Sequence, residues 1–239
     1  MGRKNNRAGA GNNVRALFRD GTPWPPAVAA KPDPTARVRP QSPNQRRLLE
    51  VIDRYPVVVA VGPAGTGKTY LAVAAAVAAL MDGQVSRIVL ARPAVEAGEA
   101  LGFLPGNVDH KMAPYLRPLY DALGDWLGAK QLKAMLADGI VEVAPVAFMR
   151  GRTLNDAFII IDEAQNCTYA QIKMLLTRLG RDSTMVVTGD PDQSDLLPGL
   201  SGLDLVARRL EGLRSISVVR LDDGDVIRHP LVAEMLTVL

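Results

Sequence analysis

The feature that most constrains the fold of this chain is the stretch at residues 57–69, VVVAVGPAGTGKT. Five apolar, mostly β-branched residues, Val57–Val61, run straight into Gly62, Pro63, Ala64, Gly65, Thr66, Gly67, Lys68 and Thr69. An Ala-rich run without Gly or Pro follows at 70–81. Strand, glycine loop and helix in that order make a Walker A phosphate loop. Each residue type has a physical task there. The glycines allow a turn tight enough for backbone N–H groups to face an anion, and the helix start adds unpaired N–H groups and the positive end of its dipole. Lys68 is predicted to reach the β- and γ-phosphates, and the Thr69 hydroxyl to ligate Mg²⁺. At average residue frequencies the four fixed positions coincide by chance about once in a hundred chains of this size, so a bare glycine turn is the weaker reading. The predicted ligand is a nucleoside triphosphate.

Around this loop the pattern is α/β. Ser42 and Pro43 form an N-cap and first helical residue, with Leu48, Leu49 and Ile52 as the buried face. Gln45 lies upstream of the loop, where its amide can pair with the adenine edge. Strands are predicted at 87–91, 140–144, 157–161, 184–188 and 216–221, and helices at 169–179, 201–210 and 230–239. Residues 111–139 read as helical with interruptions at Pro114, Pro118 and Gly128. There Tyr115, Leu119, Leu123 and Leu127 repeat at a spacing that suits a core stripe better than a base-stacking platform. Residues 94–106, rich in Gly, read as an exposed loop or lid. Ligands in open α/β sheets sit beyond the carboxyl ends of strands. Arg92, Glu96 and Glu99 therefore fall on the functional edge, Arg92 facing nucleic-acid phosphate or pairing with one of the two glutamates.

The strand at 157–161 ends in Asp162-Glu163-Ala164-Gln165, with Asp162 standing 94 residues after Lys68. Such an acidic pair at a strand end is a Walker B pattern, in which Asp162 holds Mg²⁺ and Glu163 orients and deprotonates water. The strand at 184–188 leads to Gly189-Asp190-Pro191-Asp192-Gln193. Placed beside both Walker strands, it would bring Gln193 or Asp190 near the γ-phosphate. Arg228 is the candidate arginine finger, with Arg220 as the alternative. His110 and His229 lack metal-ligand spacing.

Charge is unevenly spread. Residues 1–47 carry a balance of +8, and the remainder −5. Residues 1–39 are basic and Pro-rich, with little apolar periodicity, and read as a flexible arm. The arm suits an anionic partner such as RNA or DNA, or else is a solvated tail; Trp24 within it could dock or stay exposed. Cys167 is the only cysteine, which rules out an intrachain disulfide and a cysteine-cluster metal site and marks it as a small filler residue. No apolar run is long enough for a transmembrane helix, and the N-terminus lacks a signal-peptide h-region. The expected location is cytoplasmic, with no membrane contact.

Taken together, QSPNQ, GPAGTGKT, ARPAVEAGEALGFLPG, IIIDEAQN, TGDPDQSDL and DVIRHPLV resemble the PhoH-like ATPases over roughly residues 40–237. The resemblance implies a P-loop NTPase with a RecA-like parallel β-sheet flanked by helices, similar to the core of superfamily-one helicases. It further implies ATP hydrolysis, a link to phosphate starvation in bacteria, and RNA processing. Two domains are expected, a flexible arm at 1–39 and an ATPase domain at 40–239. No acidic nuclease cluster is visible, so nuclease activity is not expected of this chain. There is room for a single RecA-like unit, whereas a helicase motor moves nucleic acid between two. Motor action therefore implies a homo-oligomer, a ring such as a hexamer, in which a neighbour completes the site.

The expected function is Mg²⁺-dependent ATP binding and hydrolysis coupled to RNA or single-stranded nucleic acid. The expected catalytic residues are Lys68, Asp162, Glu163, Gln193 and Arg228. A rival is an ATP-gated nucleic-acid-binding or scaffold module with negligible turnover, against which Glu163 speaks, since a pure binder needs no positioned base. A small-molecule kinase would want an acceptor pocket and lid arginines.

Overall fold

The computed structural model describes residues 38–93 and 108–227, with backbone only at 108–114, together with Met235. The arm up to residue 37, the 94–106 stretch with Glu96 and Glu99, and the segment holding Arg228, His229 and the expected closing helix apart from Met235 lie outside the described residues.

Six strands form one sheet: β1 (Val57–Val61), β2 (Arg87–Arg92), β3 (Val141–Pro145), β4 (Ala157–Ile161), β5 (Thr184–Gly189) and β6 (Ile216–Arg220). Their order is β3-β2-β4-β5-β1-β6, and every neighbouring pair is parallel. β5 therefore lies between β1 and β4, with Val59 opposite Val187 and Ile159 opposite Met185. The short apolar runs follow from this burial, because a parallel sheet covered on both faces needs apolar side chains at consecutive positions. All five residues of β1 and of β4 are buried.

Alternate side chains point to opposite faces. Val58, Ala60, Ile88, Leu90, Phe158, Ile160 and Val186 meet α1 (Pro43–Ile52), α2 (Lys68–Met81), α3 (Val108–Leu127) and α4 (Ala129–Ala137). Val57, Val59, Val61, Ile159, Ile161, Met185 and Val187 meet α5 (Tyr169–Leu176) and α6 (Leu203–Leu210). The small side chains of α2 let it lie close on the sheet, with Ala72, Val73, Ala76 and Val77 fully buried. No described helix is long and apolar enough to cross a membrane.

Four strands, β2, β3, β5 and β6, end one residue away from the sequence expectation, and three helices differ for identifiable reasons. α3 runs through Pro114 and Pro118, and the break comes only at Gly128, where φ is 74°. A proline inside a helix costs about 3 kcal/mol, whereas each buried Leu gains about 1.5–3 kcal/mol. Leu116, Leu119, Leu123 and Leu127, all buried on this helix, thus outweigh the prolines. α5 stops at Leu176 rather than 179, because Leu179 leaves to bridge Leu154 and Arg178 reaches the Arg152 carbonyl at 2.8 Å. α6 begins at Leu203, since Ser201 pairs with Thr168 and Gly202 packs on the Tyr169 backbone.

Beyond β3 the chain makes a 3-10 turn at Val146–Met149 and then folds back, so that Arg152 grips Glu142 through both terminal guanidinium nitrogens, at 2.5 and 2.6 Å. That hydrogen bond outweighs partial burial and holds the Glu142 carboxyl below its ordinary value. A carboxyl depressed in the folded state contributes stability above its ordinary value, and that stability is lost as pH falls through the folded value. Glu142→Gln is therefore expected to lower Tm at pH 7 by about 1–4 °C, the equivalent of about 0.5–1 kcal/mol for a half-exposed pair. Calorimetry should show the gap to wild type closing below about pH 4.5; a gap independent of pH would contradict this.

Candidate functional site

The carboxyl ends of β1, β5 and β4 lie side by side, and the loops after them assemble the site. After β1, residues 62–69 curl into a loop held from both flanks. The Gly62 N–H donates to the Gly189 carbonyl at 3.2 Å, and the Ile227 N–H donates to the Gly65 carbonyl at 3.0 Å. Gly65 and Gly67 sit at φ 82° and 80°, a region a side chain would strain. Gly62, at φ 150°, is required for a further reason: a Cβ there would lie 2.4 Å from the Leu221 carbonyl oxygen. Gly67 opens α2 without a side-chain cap, which leaves first-turn N–H groups available to an anion.

Lys68 folds back over its own loop. Its Nζ donates to the Gly62 and Pro63 carbonyls, each at 2.7 Å, and lies 3.3 Å from Thr66 Oγ1. Burial lowers the Lys68 ammonium from its ordinary value, outweighing the opposite pull of Asp190, Glu163 and Asp162. Three carboxylates thus act on one buried cation, which has no anion in direct hydrogen-bond contact among the described residues.

Asp162, at the end of β4, accepts at one carboxylate oxygen from Thr69 Oγ1 at 2.5 Å and from Thr188 Oγ1 at 2.9 Å. Its other oxygen is 3.7 Å from Arg92 Nη1. Mg²⁺ is a hard cation that takes oxygen ligands and keeps several waters, and Thr69 Oγ1 and Asp162 Oδ1 converge as such donors. Among the described residues no three or more His, Cys, Asp or Glu side chains gather into a metal site.

Glu163 follows at φ 53°, a left-handed backbone unusual for a side-chain-bearing residue. One of its oxygens lies 3.4 Å from Arg92 Nη2, and the other accepts a short hydrogen bond from Gln165 Nε2. Arg92 thus pairs with both acids of the Walker B pattern, whereas Glu96 and Glu99, the partners considered from sequence, lie outside the described residues. Asp190 is nearly buried. Its carboxylate accepts from the Ala64 N–H at 3.0 Å and from the Asp192 N–H at 3.1 Å, while its own N–H donates to Gln165 Oε1 at 3.0 Å.

Other predicted residues are placed as follows. Gln45 is buried behind the loop: its Oε1 accepts from the Gln41 N–H at 2.8 Å, and its Nε2 donates to the Thr66 and Asp225 carbonyls at 3.2 and 3.3 Å. Both amide protons are spent on backbone, so no free donor edge faces a base. Gln193 is exposed and, among the described residues, is engaged through its backbone N–H alone, on the Asp190 carbonyl at 3.1 Å. Arg220 pairs with Glu211 at 3.6 Å on the outer strand. Arg228 falls just past Ile227, outside the described residues. Cys167 is buried and its thiol is pushed up to about 12 by that burial, which keeps it protonated and unreactive. Sequence reasoning missed Thr188 and Gln165. The only signal was their position, Thr188 near the end of a predicted strand and Gln165 within DEAQ.

The PhoH-like protein family profile matches residues 37–239. Over 200 residues the chain is 54% identical to a PhoH-like protein of Bacillus subtilis (strain 168), covering 83% of this chain and 63% of that relative. It is 44% identical over 200 residues to Protein PhoH of Escherichia coli (strain K12), covering 82% of this chain and 56% of that relative. The chain thus matches 56–63% of the length of these relatives. Among solved structures, the large terminase from a thermophilic bacteriophage superposes with a TM-score of 0.52 at 13% identity, covering 83% of this chain and 50% of that one. That likeness is one of fold.

The contact between Gly62 and Leu221 gives a direct test of the loop. Gly62→Ala should destabilise the protein by about 1–3 kcal/mol, because backbone must move to admit the methyl group. Gly124→Ala, in α3 with open space around it, should stabilise by up to about 1 kcal/mol. Urea unfolding of both variants checks this; equal effects would contradict the crowding described.

Proposed function

The chain belongs to the PhoH-like protein family, and from that premise we propose that it is a Mg²⁺-dependent ATPase coupled to RNA or single-stranded nucleic acid. The observation that carries the reading is the meeting of Thr69, Thr188 and Asp162 at one point, with Glu163 beside it and Lys68 on the adjoining loop. A polyphosphate is the ligand for which that combination of loop amides, buried ammonium and paired carboxylates is suited.

In this reading the amides of residues 64–69 cradle the phosphates. Lys68 exchanges the Gly62 and Pro63 carbonyls for β- and γ-phosphate oxygens, which its three donors and flexible stem allow. Thr69 and Asp162 would hold Mg²⁺, whose role when bound is to offset phosphate charge. Glu163 takes the proton of the attacking water, after giving up its bond to Arg92. Gln193, or Asp190, senses the γ-phosphate. Adenine pairing by Gln45 requires its amide to exchange a backbone carbonyl for the base. Arg228 supplies the finger, within its own subunit or to a neighbour's ATP, and a homo-oligomeric ring gives the single unit a partner to move against. The domain division at residue 39, an anion-binding role for the basic arm and a cytoplasmic setting complete the proposal.

A second reading has one observation in its favour. Both Glu163 oxygens are engaged, as in a site that binds ATP and turns over slowly until something frees the base. That is the ATP-gated nucleic-acid-binding or scaffold module.

Steady-state hydrolysis separates the two. Wild type should hydrolyse ATP and be stimulated by single-stranded RNA, while Glu163→Gln should bind ATP with its kcat reduced about 10²–10⁴-fold. Lys68→Ala should lose ATP binding in equilibrium titration. Wild-type binding without turnover, with or without RNA or DNA, would favour the scaffold, and unchanged ATP affinity in Lys68→Ala would remove the loop from the account.

A further inference from the structure

Gln165 is buried, and both ends of its side chain are committed. Its Oε1 accepts from the Asp190 N–H at 3.0 Å, which fixes the orientation of the amide, because only the carbonyl end can accept from a backbone donor. Nε2 is then directed at Glu163, to which it donates a short hydrogen bond. The neighbouring chain is shaped to admit this amide. A Cβ on Gly189 would lie 2.6 Å from Gln165 Oε1 and 2.5 Å from Leu203 Cδ2, so the position is kept empty of side chain. On its far side Asp190 accepts the Ala64 N–H through its carboxylate. A continuous path of hydrogen bonds therefore runs from the phosphate loop through Asp190 and Gln165 to Glu163.

We propose that Gln165 is a positioning residue that orients Glu163 and ties that orientation, through Asp190, to occupancy of the phosphate loop. The inference rests on the ATPase reading above. Asp190 holds its carboxylate against a loop amide, so an incoming phosphate meets like charge there and competes for the Ala64 N–H. Displacing the carboxylate disturbs the Asp190 turn and with it the hydrogen bond that Gln165 Oε1 receives. Among the described residues the amide is the link between that turn and the base. Arg92 holds the opposite oxygen of Glu163, so a change at Gln165 turns the carboxylate about the Arg92 contact instead of releasing it.

Gln165→Glu tests this, because it keeps the acceptor for the Asp190 N–H and loses the donor to Glu163 until its own carboxyl is protonated. Its ATP affinity should stay within about threefold of wild type. Its kcat at pH 8 should fall about 10- to 100-fold, part of the factor of about 10²–10⁴ that a positioned base supplies. The deficit should narrow toward pH 5 as the new carboxyl gains a proton. A merely structural residue would lower Tm and leave the pH profile parallel to that of wild type. The inference is overturned by a kcat within twofold of wild type, by a parallel pH profile, or by a loss confined to ATP affinity. If Gln165→Glu does not fold, Gln165→Asn, too short to span both partners, reads the same split between kcat and KM. Wild type without turnover overturns the ATPase reading itself and this inference with it, whereas active wild type beside an unaffected variant overturns the inference alone.

Discussion

One carboxylate oxygen of Asp162 receives the hydroxyls of Thr69 and Thr188, and that junction joins the carboxyl ends of three adjacent strands. It exists because β5 is inserted between β1 and β4, so that side chains distant in sequence are brought within hydrogen-bond reach. The strands are held there by burial on both faces, with helices α1–α4 on one side and α5 and α6 on the other. Shifting β5 by one residue would exchange its two faces and remove Thr188 from Asp162. The large apolar core thus serves to fix the position of a few polar atoms at one edge.

Most of those charged groups are held by neutral partners, carbonyls, hydroxyls and backbone amides. Lys68 is buried and donates to its own loop carbonyls, while Asp162, Glu163 and Asp190 stand close enough to pull on its charge. Arg92 spans both Walker B acids, and Asp190 covers a loop amide. Each of these bonds is one that a triphosphate and its metal would compete for. Charged groups paired in a low-dielectric site are costly to expose and cheap to exchange for better-matched partners. On the proposed function, a site built in this way would take up its ligand by trading partners while the apolar scaffold stays in place.

Much of this is legible in the sequence, for identifiable reasons. Val57–Val61 and Ala157–Ile161 announce themselves because strands buried on both faces show continuous apolar runs, and glycines at 62, 65 and 67 mark a loop geometry few other residues permit. α3 is misread at Pro114 and Pro118 because local propensity is visible in sequence, whereas the burial of Leu116, Leu119 and Leu123 that overrides it is tertiary. The same holds at the site. Asp162 and Glu163 are found by their place at a strand end. The partners of Arg92, the role of Thr188 and the backbone-bound state of Gln45 depend on strand order and on segments such as Asp222–Asp225, which sequence spacing does not encode.

A crystal structure of the chain with Mg²⁺ and a non-hydrolysable ATP analogue would show whether the loop at 62–69 and the acids after β4 form one triphosphate site. Phosphates are expected on the amides of residues 64–69, with Lys68 turned off the Gly62 and Pro63 carbonyls onto them. The metal is expected between Thr69 and Asp162, and Glu163 is expected to be free of at least one of its present partners. A nucleotide bound elsewhere, or one bound at the loop while Lys68 keeps both carbonyl bonds and Asp190 keeps the Ala64 N–H, would contradict a single triphosphate site.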